Sequence, residues 1–266
     1  MVDLSRFIFR GAEIESQRCH YRDHVSNIRR NHHMTAITYA IGDVHGEADR
    51  LRRLHELICK RHASEFGDAS MTVIHLGDYV DRGPDSAGAI DAVMELSQDA
   101  SLDVIALAGN HEAMLLAALA APGSESHTHW LENGGRETMQ SYLARGDETI
   151  PQAHIEWLRT RPAIHIDHSD KRVFVHAGVS PGHFPNEREE VYLWTRASAF
   201  FDVTQWQNTA LQDWTVVHGH TPTRDGFPEI AGDRSQRINI DSGAVFGGRL
   251  TCAIFAPDQA VKFLYS

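Results

Sequence analysis

Three short apolar runs in the first half of the sequence each end at a glycine that is followed by a polar cluster. The clusters occupy residues 42–46, 77–83 and 109–112, and they contain Asp, His, Asn and Glu side chains. Carboxylate, amide and imidazole groups are ligands for divalent metals. If each run is a buried strand, each cluster lies at the carboxyl end of a strand, where open α/β sheets place their functional sites. The pattern therefore predicts a two-metal enzyme.

Four side chains of these clusters have the chemistry of metal ligands. Asp43 and His45 are two residues apart, so in an extended segment both project to the same side and can bind one ion. Asp78 follows the second run, and its two carboxylate oxygens can bridge two ions about 3.5–4 Å apart. Asn110 offers a neutral amide oxygen. The open alternative is that the first cluster is only a turn, with Asp43 capping the next helix.

Two histidines in the second half of the sequence extend this set. His176 follows the apolar run 173–175, and His220 lies in the segment 217–222, which also contains His218. A histidine at a strand end is often a polar residue that meets solvent. Two of them, together with three glycine-flanked clusters, indicate a metal centre.

The elements that must position these side chains alternate between strand and helix. Apolar residues with helical spacing predict helices at 47–62, 85–97 and 111–121. Strand, ligand loop and helix, three times over, indicate βαβ units with right-handed crossovers. Residues 124–160 are predicted to be mainly helical, with breaks at 133–135 and Pro151. Further strands are predicted at 163–167, 172–176, 214–218, 237–241, 250–255 and 261–264.

This order of elements predicts an α/β fold in which two mixed sheets form a sandwich flanked by helices. We assign one domain to residues 34–266. Residues 1–33 are polar and have no clear period, so we expect a tail outside the fold. Disorder of this tail, or a true start site at Met34, are the two explanations left open.

Composition excludes several functional classes. The 266-residue chain has 42% hydrophobic and 23% charged residues, which is typical of a globular protein with a sizeable core. A formal net charge of −11 argues against nucleic acid as a partner. No apolar run reaches about 18 residues and no signal-like segment follows Met1, so we expect neither a membrane partner nor secretion. Three scattered cysteines favour the reducing cytoplasm.

Five motifs in one order resemble the PPP family of metal-dependent serine/threonine phosphatases. They are residues 42–46, 77–83, 109–112, 176–178 and 219–222. The most similar sub-type is the bacterial and phage type typified by lambda phosphatase, which the segments 130–135, 193–196 and 241–248 also resemble. The resemblance extends from about Tyr39 to Phe255. The last of the five motifs is the reason to prefer His220 to His218 as a ligand.

The resemblance implies a calcineurin-like metallophosphoesterase β-sandwich with two divalent cations. Manganese is the usual metal in bacterial members, with iron or zinc as alternatives. A hydroxide that bridges the cations would attack the phosphorus atom in line. One cation would be held by Asp43, His45 and Asp78, and the other by Asp78, Asn110, His176 and His220.

The resemblance also assigns roles to groups around the metals. His111 would be the general acid that protonates the leaving alkoxide, typically worth 10²–10⁴-fold in rate, and Asp81 would orient it. Arg82, Arg196 and Asn110 would bind the phosphate, since guanidinium forks suit oxyanions. The open alternatives are a surface ion pair between Asp81 and Arg82, and a His111 that merely begins a helix.

The expected activity is hydrolysis of phosphoserine and phosphothreonine in proteins, with phosphotyrosine and small phosphoesters left open. The main alternative is a symmetrical diadenosine tetraphosphate hydrolase, which 156–162 and 176–179 resemble. That relative typically has alanine in place of Asp81 and aspartate in place of Glu112, so we favour the phosphatase. Glu112 itself is expected to cap or pair at a helix start. A non-enzymatic metal-stabilised module would lack a ligand or the acid, and neither is missing.

Removal of residues 1–33 tests the proposed domain start. Because the strand and helix pattern begins after Met34, we expect the shortened chain to keep its melting temperature and its phosphoesterase activity. Thermal denaturation and a phosphoester assay on both chains make the comparison. A large loss of either property would show that the leader belongs to the fold.

Overall fold

Three parallel strands precede the three polar clusters. The structure is a computed structural model that describes residues 36–266. They are β1 (Ala36–Ile41), β2 (Ser70–His75) and β3 (Leu102–Ala106). Two C-terminal strands, β9 (Thr251–Phe255) and β10 (Lys262–Tyr265), add antiparallel pairs, so the sheet order is β10-β9-β1-β2-β3. The predicted tail at residues 1–33 lies outside the described residues.

The second sheet is also mixed. Its strands are β4 (Ile164–Asp167), β5 (Arg172–Val175), β6 (Thr215–His218), β7 (Glu229–Gly232) and β8 (Gln236–Asn239). The order is β4-β5-β6-β8-β7, with a parallel centre and an antiparallel strand at each edge. The motifs that contain His176 and His220 follow directly after the carboxyl ends of β5 and β6.

One buried apolar cluster joins the two sheets. It contains Ile74 from β2 and Ala40 from β1, packed with Phe174, Val217 and Ile238 from the second sheet. Since both sheets contribute side chains to the same cluster, they pack face to face as a sandwich. Burial of these side chains from water is the main force that holds the sheets together.

Helices cover the outer faces of both sheets. They are α1 (Ala48–Glu65), α2 (Ser86–Leu96), α3 (Asn110–Ala120), α4 (Glu125–Trp130), α5 (Arg136–Ala144), α6 (Gln152–Arg159), α7 (Glu189–Trp194) and α8 (Ser198–Phe201). The apolar stripe of α1, formed by Leu51, Leu54 and Ile58, is buried in the core on the outer face of the first sheet. None of the helices within residues 36–266 combines the length and apolar character needed to cross a membrane.

The predicted α/β sandwich of two mixed sheets flanked by helices is confirmed. The predicted helix break at 133–135 is present, and Gly134 takes a left-handed backbone there, with φ of 110°. Strand β7 is not in the prediction. It is an edge strand in which Glu229, Ile230 and Gly232 are exposed, so it lacks the apolar alternation that would have identified it.

Candidate metal centre

The carboxyl ends of strands from both sheets meet at a buried group of acidic and histidine side chains. Two sets of three residues each place one potential ligand atom per residue within 4.8 Å of the others. One set is His45, Asp78 and His111, and the other is Asp43, Asp78 and His176. The two carboxylate oxygens of Asp78 lie 3.3 Å from His45 Nε2 and 3.4 Å from His176 Nε2. Asp78 therefore lies between two candidate cation positions.

Backbone carbonyls orient two of the imidazole rings. His45 Nδ1 lies 2.9 Å from the carbonyl oxygen of Val80, and His176 Nδ1 lies 3.0 Å from that of Leu76. Each carbonyl oxygen accepts a hydrogen bond from Nδ1–H. The other ring nitrogen, Nε2, is then unprotonated, and its lone pair faces Asp78. Burial lowers the pKa of His45 to about 3, so its ring is neutral near pH 7. Neutral rings oriented in this way are typical metal ligands.

The side-chain oxygen of Asn110 makes an unfavourable contact with another hydrogen-bond acceptor, and a cation between the two atoms would make the contact favourable. Its Oδ1 lies 2.8 Å from His176 Nε2 and 2.8 Å from His220 Nδ1. Burial lowers the pKa of His176, and Nδ1 carries its proton, so Nε2 and the amide oxygen are two acceptors that face each other. His220 faces the same oxygen through Nδ1, which is a further acceptor when the ring proton is on the buried Nε2, an atom with no hydrogen-bond partner within residues 36–266. The donor set therefore fits a divalent metal.

Repulsion between buried carboxylates supports the same conclusion. Burial, reinforced by the charge of Asp241 and then of Asp78, raises the pKa of Asp43 well above its usual range. Burial also raises the pKa of Asp241 to about 6. Burial opposes ionisation of Asp78 as well, but the nearby histidines, His176 first, outweigh it and lower its pKa. Bound cations would offset this concentration of negative charge.

Many residues of the site have an unusual backbone conformation. A positive φ is found at His45 (44°), Asp78 (52°), Asp81 (73°), Arg82 (70°) and His220 (67°). Side chains other than glycine disfavour this left-handed region, so each position costs free energy that the surrounding structure must supply. Such strain is concentrated at functional sites, which is consistent with a site here.

Glu112 holds the strained loop that follows β2. Its Oε1 accepts hydrogen bonds from the backbone N–H groups of Tyr79 (2.7 Å) and Val80 (3.2 Å). Its Oε2 accepts from Asp78 N (2.7 Å) and Gly109 N (2.8 Å). Burial and the Asp78 charge raise the pKa of Glu112, whereas the backbone donors oppose that rise and favour the ionised carboxylate. The predicted role at the helix start is therefore extended, because Glu112 also ties together two ligand loops.

Asp81 and His111 form a buried pair beside the carboxylates. His111 Nδ1 lies 2.7 Å from Asp81 Oδ2, and Asp81 also accepts hydrogen bonds from Trp130 Nε1 (2.9 Å) and Thr138 Oγ1 (2.7 Å). Burial disfavours a charged His111, yet Asp78 and Asp81 raise its pKa. Since Asp81 is buried, the alternative of a surface ion pair with Arg82 is wrong.

The two candidate phosphate-binding arginines are exposed and flank the buried group. Arg82 Nη1 donates to His45 Nε2 at 2.7 Å, the lone pair that a cation bound to His45 would take in its place. Arg196 donates from Nε to Thr221 Oγ1 at 3.3 Å and from Nη2 to the carbonyl oxygen of His220 at 3.5 Å. One guanidinium therefore lies at the His45 side and the other at the His220 side. Two cationic groups placed in this way can contact a bound anion from both sides.

Sequence reasoning gave no role to several residues that shape the site. Trp130 and Thr138, which bond Asp81, come from α4 and α5, far from the ligand motifs in sequence. The only signal for Trp130 was the resemblance of the segment 130–135. Asp241 likewise lies in a resembling segment, but its proximity to Asp43 depends on how the two sheets pack. His218, the rejected ligand, accepts a hydrogen bond from Arg237, whereas His220 Nδ1 lies 2.8 Å from Asn110 Oδ1. Neither histidine is in the two sets of three.

Comparison with known proteins places the chain in a family. The calcineurin-like phosphoesterase family model matches residues 38–258. An asymmetrical bis(5'-nucleosyl)-tetraphosphatase from Halalkalibacterium halodurans is 28% identical over 84% of this chain and 91% of its own length. A symmetrical bis(5'-nucleosyl)-tetraphosphatase from Escherichia coli is 33% identical over 54% of this chain, and the match spans only 44% of that relative.

A solved structure shows that the fold is shared more widely. The cold-active protein-tyrosine phosphatase of a psychrophilic Shewanella superposes with a TM-score of 0.53 and 19% identity, over 86% of this chain and 80% of that one. The expected metallophosphoesterase fold is thus confirmed, and the family model supports the expected family. The more specific likeness to lambda phosphatase is not supported, because the named relatives with the stronger sequence match are tetraphosphatases.

Replacement of Asp78 tests the shared ligand. In Asp78→Asn one bridging oxygen becomes an amide nitrogen, so we expect loss of at least one of two bound Mn²⁺ equivalents together with activity. Elemental analysis after equilibrium dialysis measures the metal. Asp103→Asn, which alters an exposed carboxylate on β3, is the matched control and should keep both equivalents. Full metal content in Asp78→Asn would contradict the bridging position.

Replacement of Glu112 tests the tie between the loops. Glu112→Gln turns one acceptor into a donor that faces backbone N–H groups, so we expect a loss of about 2–4 kcal/mol in the free energy of unfolding. Urea denaturation measures it. Glu95→Gln, at an exposed position on α2, should change stability by no more than about 0.5 kcal/mol. Equal stability of the two variants would remove this role from Glu112.

Proposed function

This chain belongs to the calcineurin-like phosphoesterase family, and we propose that it hydrolyses bis(5'-nucleosyl) tetraphosphates. The observation that carries the proposal is the tetraphosphatase from Halalkalibacterium halodurans, whose match covers 84% of this chain and 91% of its own length. Cleavage would add water across one phosphoanhydride bond of the tetraphosphate and release two nucleotides. The alternative expected from the sequence is a symmetrical diadenosine tetraphosphate hydrolase. A tetraphosphatase with either symmetrical or asymmetrical cleavage now replaces the protein phosphatase as the leading proposal.

The proposed cofactor is a pair of divalent cations, with Mn²⁺ as first choice and iron or zinc as alternatives. When bound, such ions lower the pKa of water and neutralise phosphate oxygens. The acceptor contact at Asn110 and the clustered carboxylates support this assignment. The residues that would hold them are Asp43, His45 and Asp78 for one ion, and Asp78, Asn110, His176 and His220 for the other.

The arginines support a substrate with several phosphates. Arg82 contacts His45 and Arg196 contacts the backbone of His220, so the two guanidinium groups lie at different ends of the ligand group. Each can form a bidentate contact with phosphate oxygens, and Asn110 offers an amide N–H group as a further donor. Two guanidinium groups can bind separate phosphates of one polyphosphate chain, which favours a substrate with more than one phosphate.

A second candidate function follows from the His111 and Asp81 pair. Asp81 accepts a hydrogen bond from Nδ1–H of His111 and so orients the ring for proton transfer from Nε2. Serine and threonine alkoxides need protonation when they leave, whereas a nucleotide leaves a phosphoanhydride as a stable anion. The pair therefore favours phosphoserine or phosphothreonine monoesters, the protein phosphatase activity expected from the sequence.

We also propose a cytoplasmic setting and no nucleic-acid partner. Dinucleoside polyphosphates are soluble anions, and the scattered cysteines favour a reducing compartment. A net charge of −11 would repel a nucleic-acid backbone, while the local field at two bound cations would still attract a phosphate ester.

A paired assay tests the proposed function. Manganese-loaded protein is given diadenosine tetraphosphate or a phosphoserine peptide, and kcat/KM is measured for each. We expect the dinucleotide to be preferred at least tenfold, and chromatography of the products then distinguishes ADP alone from AMP with ATP. Preference for the peptide would overturn the tetraphosphatase proposal and restore the protein phosphatase.

Replacement of His111 separates the two leaving groups. In His111→Asn we expect kcat on the phosphoserine peptide to fall by about 10²–10⁴-fold, because no acid protonates the alkoxide. Turnover of p-nitrophenyl phosphate, whose leaving group needs little protonation, should fall much less. His168→Asn, at an exposed turn position, serves as the control. Equal losses on both substrates would rule out His111 as the acid.

A further inference from the structure

Phe246 is the most exposed large apolar side chain among residues 36–266, with 66% of its surface accessible. It belongs to the loop between β8 and β9 and borders a pocket of about 460 Å³. Arg82, Glu132, Arg136 and Glu137 also line this pocket. An exposed aromatic ring at a polar pocket is a typical place for a planar ligand to stack.

The loop that carries Phe246 is held in place. Arg50, on α1, donates from Nη1 to the carbonyl oxygen of Ala244 (2.9 Å) and from Nη2 to that of Gly248 (2.7 Å). Gly243 and Gly247 flank the ring with φ of 68° and 85°, conformations that glycine adopts without strain. The backbone that carries the ring is therefore held before any ligand arrives, which reduces the entropy lost on binding.

A single side chain, that of Arg82, lies between Phe246 and the candidate metal centre. The Arg82 guanidinium carbon is 5.7 Å from the centre of the Phe246 ring, and its Nη1 is 2.7 Å from His45 Nε2. In a nucleotide, one ribose likewise separates the phosphate from the base. A phosphate beside His45 and Arg82 would therefore place its base at the Phe246 ring.

We propose that Phe246 and its pocket form a nucleobase subsite, in which one purine base of the substrate stacks on the ring. The inference rests on the proposed tetraphosphatase function and specifies what the site recognises beyond phosphate. Stacking on an aromatic side chain tolerates any base, because every base has a π face. The carboxylates of Glu132 and Glu137 supply acceptors at the pocket wall for the exocyclic amino group of adenine.

The test compares AMP with ribose 5-phosphate, which has the same phosphate and sugar but no base. Both are titrated into manganese-loaded protein by calorimetry and as inhibitors of p-nitrophenyl phosphate hydrolysis. We expect AMP to bind about tenfold more tightly, which corresponds to about 1.4 kcal/mol. Phe246→Ala should abolish this preference and Phe246→Trp should keep it. Leu143→Ala, an exposed apolar residue on α5, should also keep it.

The outcomes separate this inference from the proposed function. Equal binding of AMP and ribose 5-phosphate to the unaltered protein, or a preference that survives in Phe246→Ala, would overturn the subsite even if diadenosine tetraphosphate is hydrolysed. An AMP preference that depends on Phe246 would support the subsite even if the peptide proves the better substrate. Melting temperatures of the variants show whether each is folded.

Discussion

The site depends on one buried carboxylate, that of Glu112, which accepts four backbone hydrogen bonds from two loops. Strand β2 ends at His75, and the chain must then bring Asp78 and Asp81 inward through left-handed conformations. Hydrogen bonds to Glu112 compensate for that strain and draw the loop against the start of α3. The loops approach so closely that a Cβ at Gly77 would lie 2.5 Å from Gly109 N. A side chain at Gly77 or Gly109 would push the two loops apart and so separate the candidate metal ligands Asp78 and Asn110.

The loops assemble a group of acceptors that is unfavourable without positive charge. Buried carboxylates repel one another, and a neutral imidazole nitrogen faces an amide oxygen at 2.8 Å. Removing such groups from water costs free energy unless cations or donors pair with them. Two divalent cations would relieve both the repulsion between the carboxylates and the contact at Asn110, and their binding would then be coupled to the final folding of these loops. Arg82 and Arg196 then extend the positive region outward, where a polyphosphate would lie.

Much of the fold and most of the candidate metal ligands could be predicted because they follow short local patterns in the sequence. Each apolar strand, glycine and polar cluster is contiguous in sequence, so Asp43, Asp78 and Asn110 could be placed at strand ends without coordinates. Trp130 and Thr138 could not be given a role, because their contact with Asp81 is set by how α4 and α5 pack. Strand β7 was missed because an exposed edge strand carries little apolar pattern.

Two residues, Asp81 and Glu112, favour a phosphatase at the level of sequence, and the structure gives them different roles. Glu112 was one of two residues taken to favour a phosphatase, yet it contacts backbone N–H groups and is fully buried. It therefore reports on loop geometry and says nothing about the substrate. Asp81 remains informative, since it orients His111. In the proposed function, substrate size would depend instead on groups outside the buried centre, such as Arg82 and Phe246.

The central claim is that Asp78 lies between two divalent cations held by residues from both sheets. Anomalous diffraction from a manganese-loaded crystal tests it most directly. The account predicts two anomalous peaks about 3.5–4 Å apart, one on the His45 side of Asp78 and one on the His176 side. A single peak, or peaks away from Asp78, would contradict it.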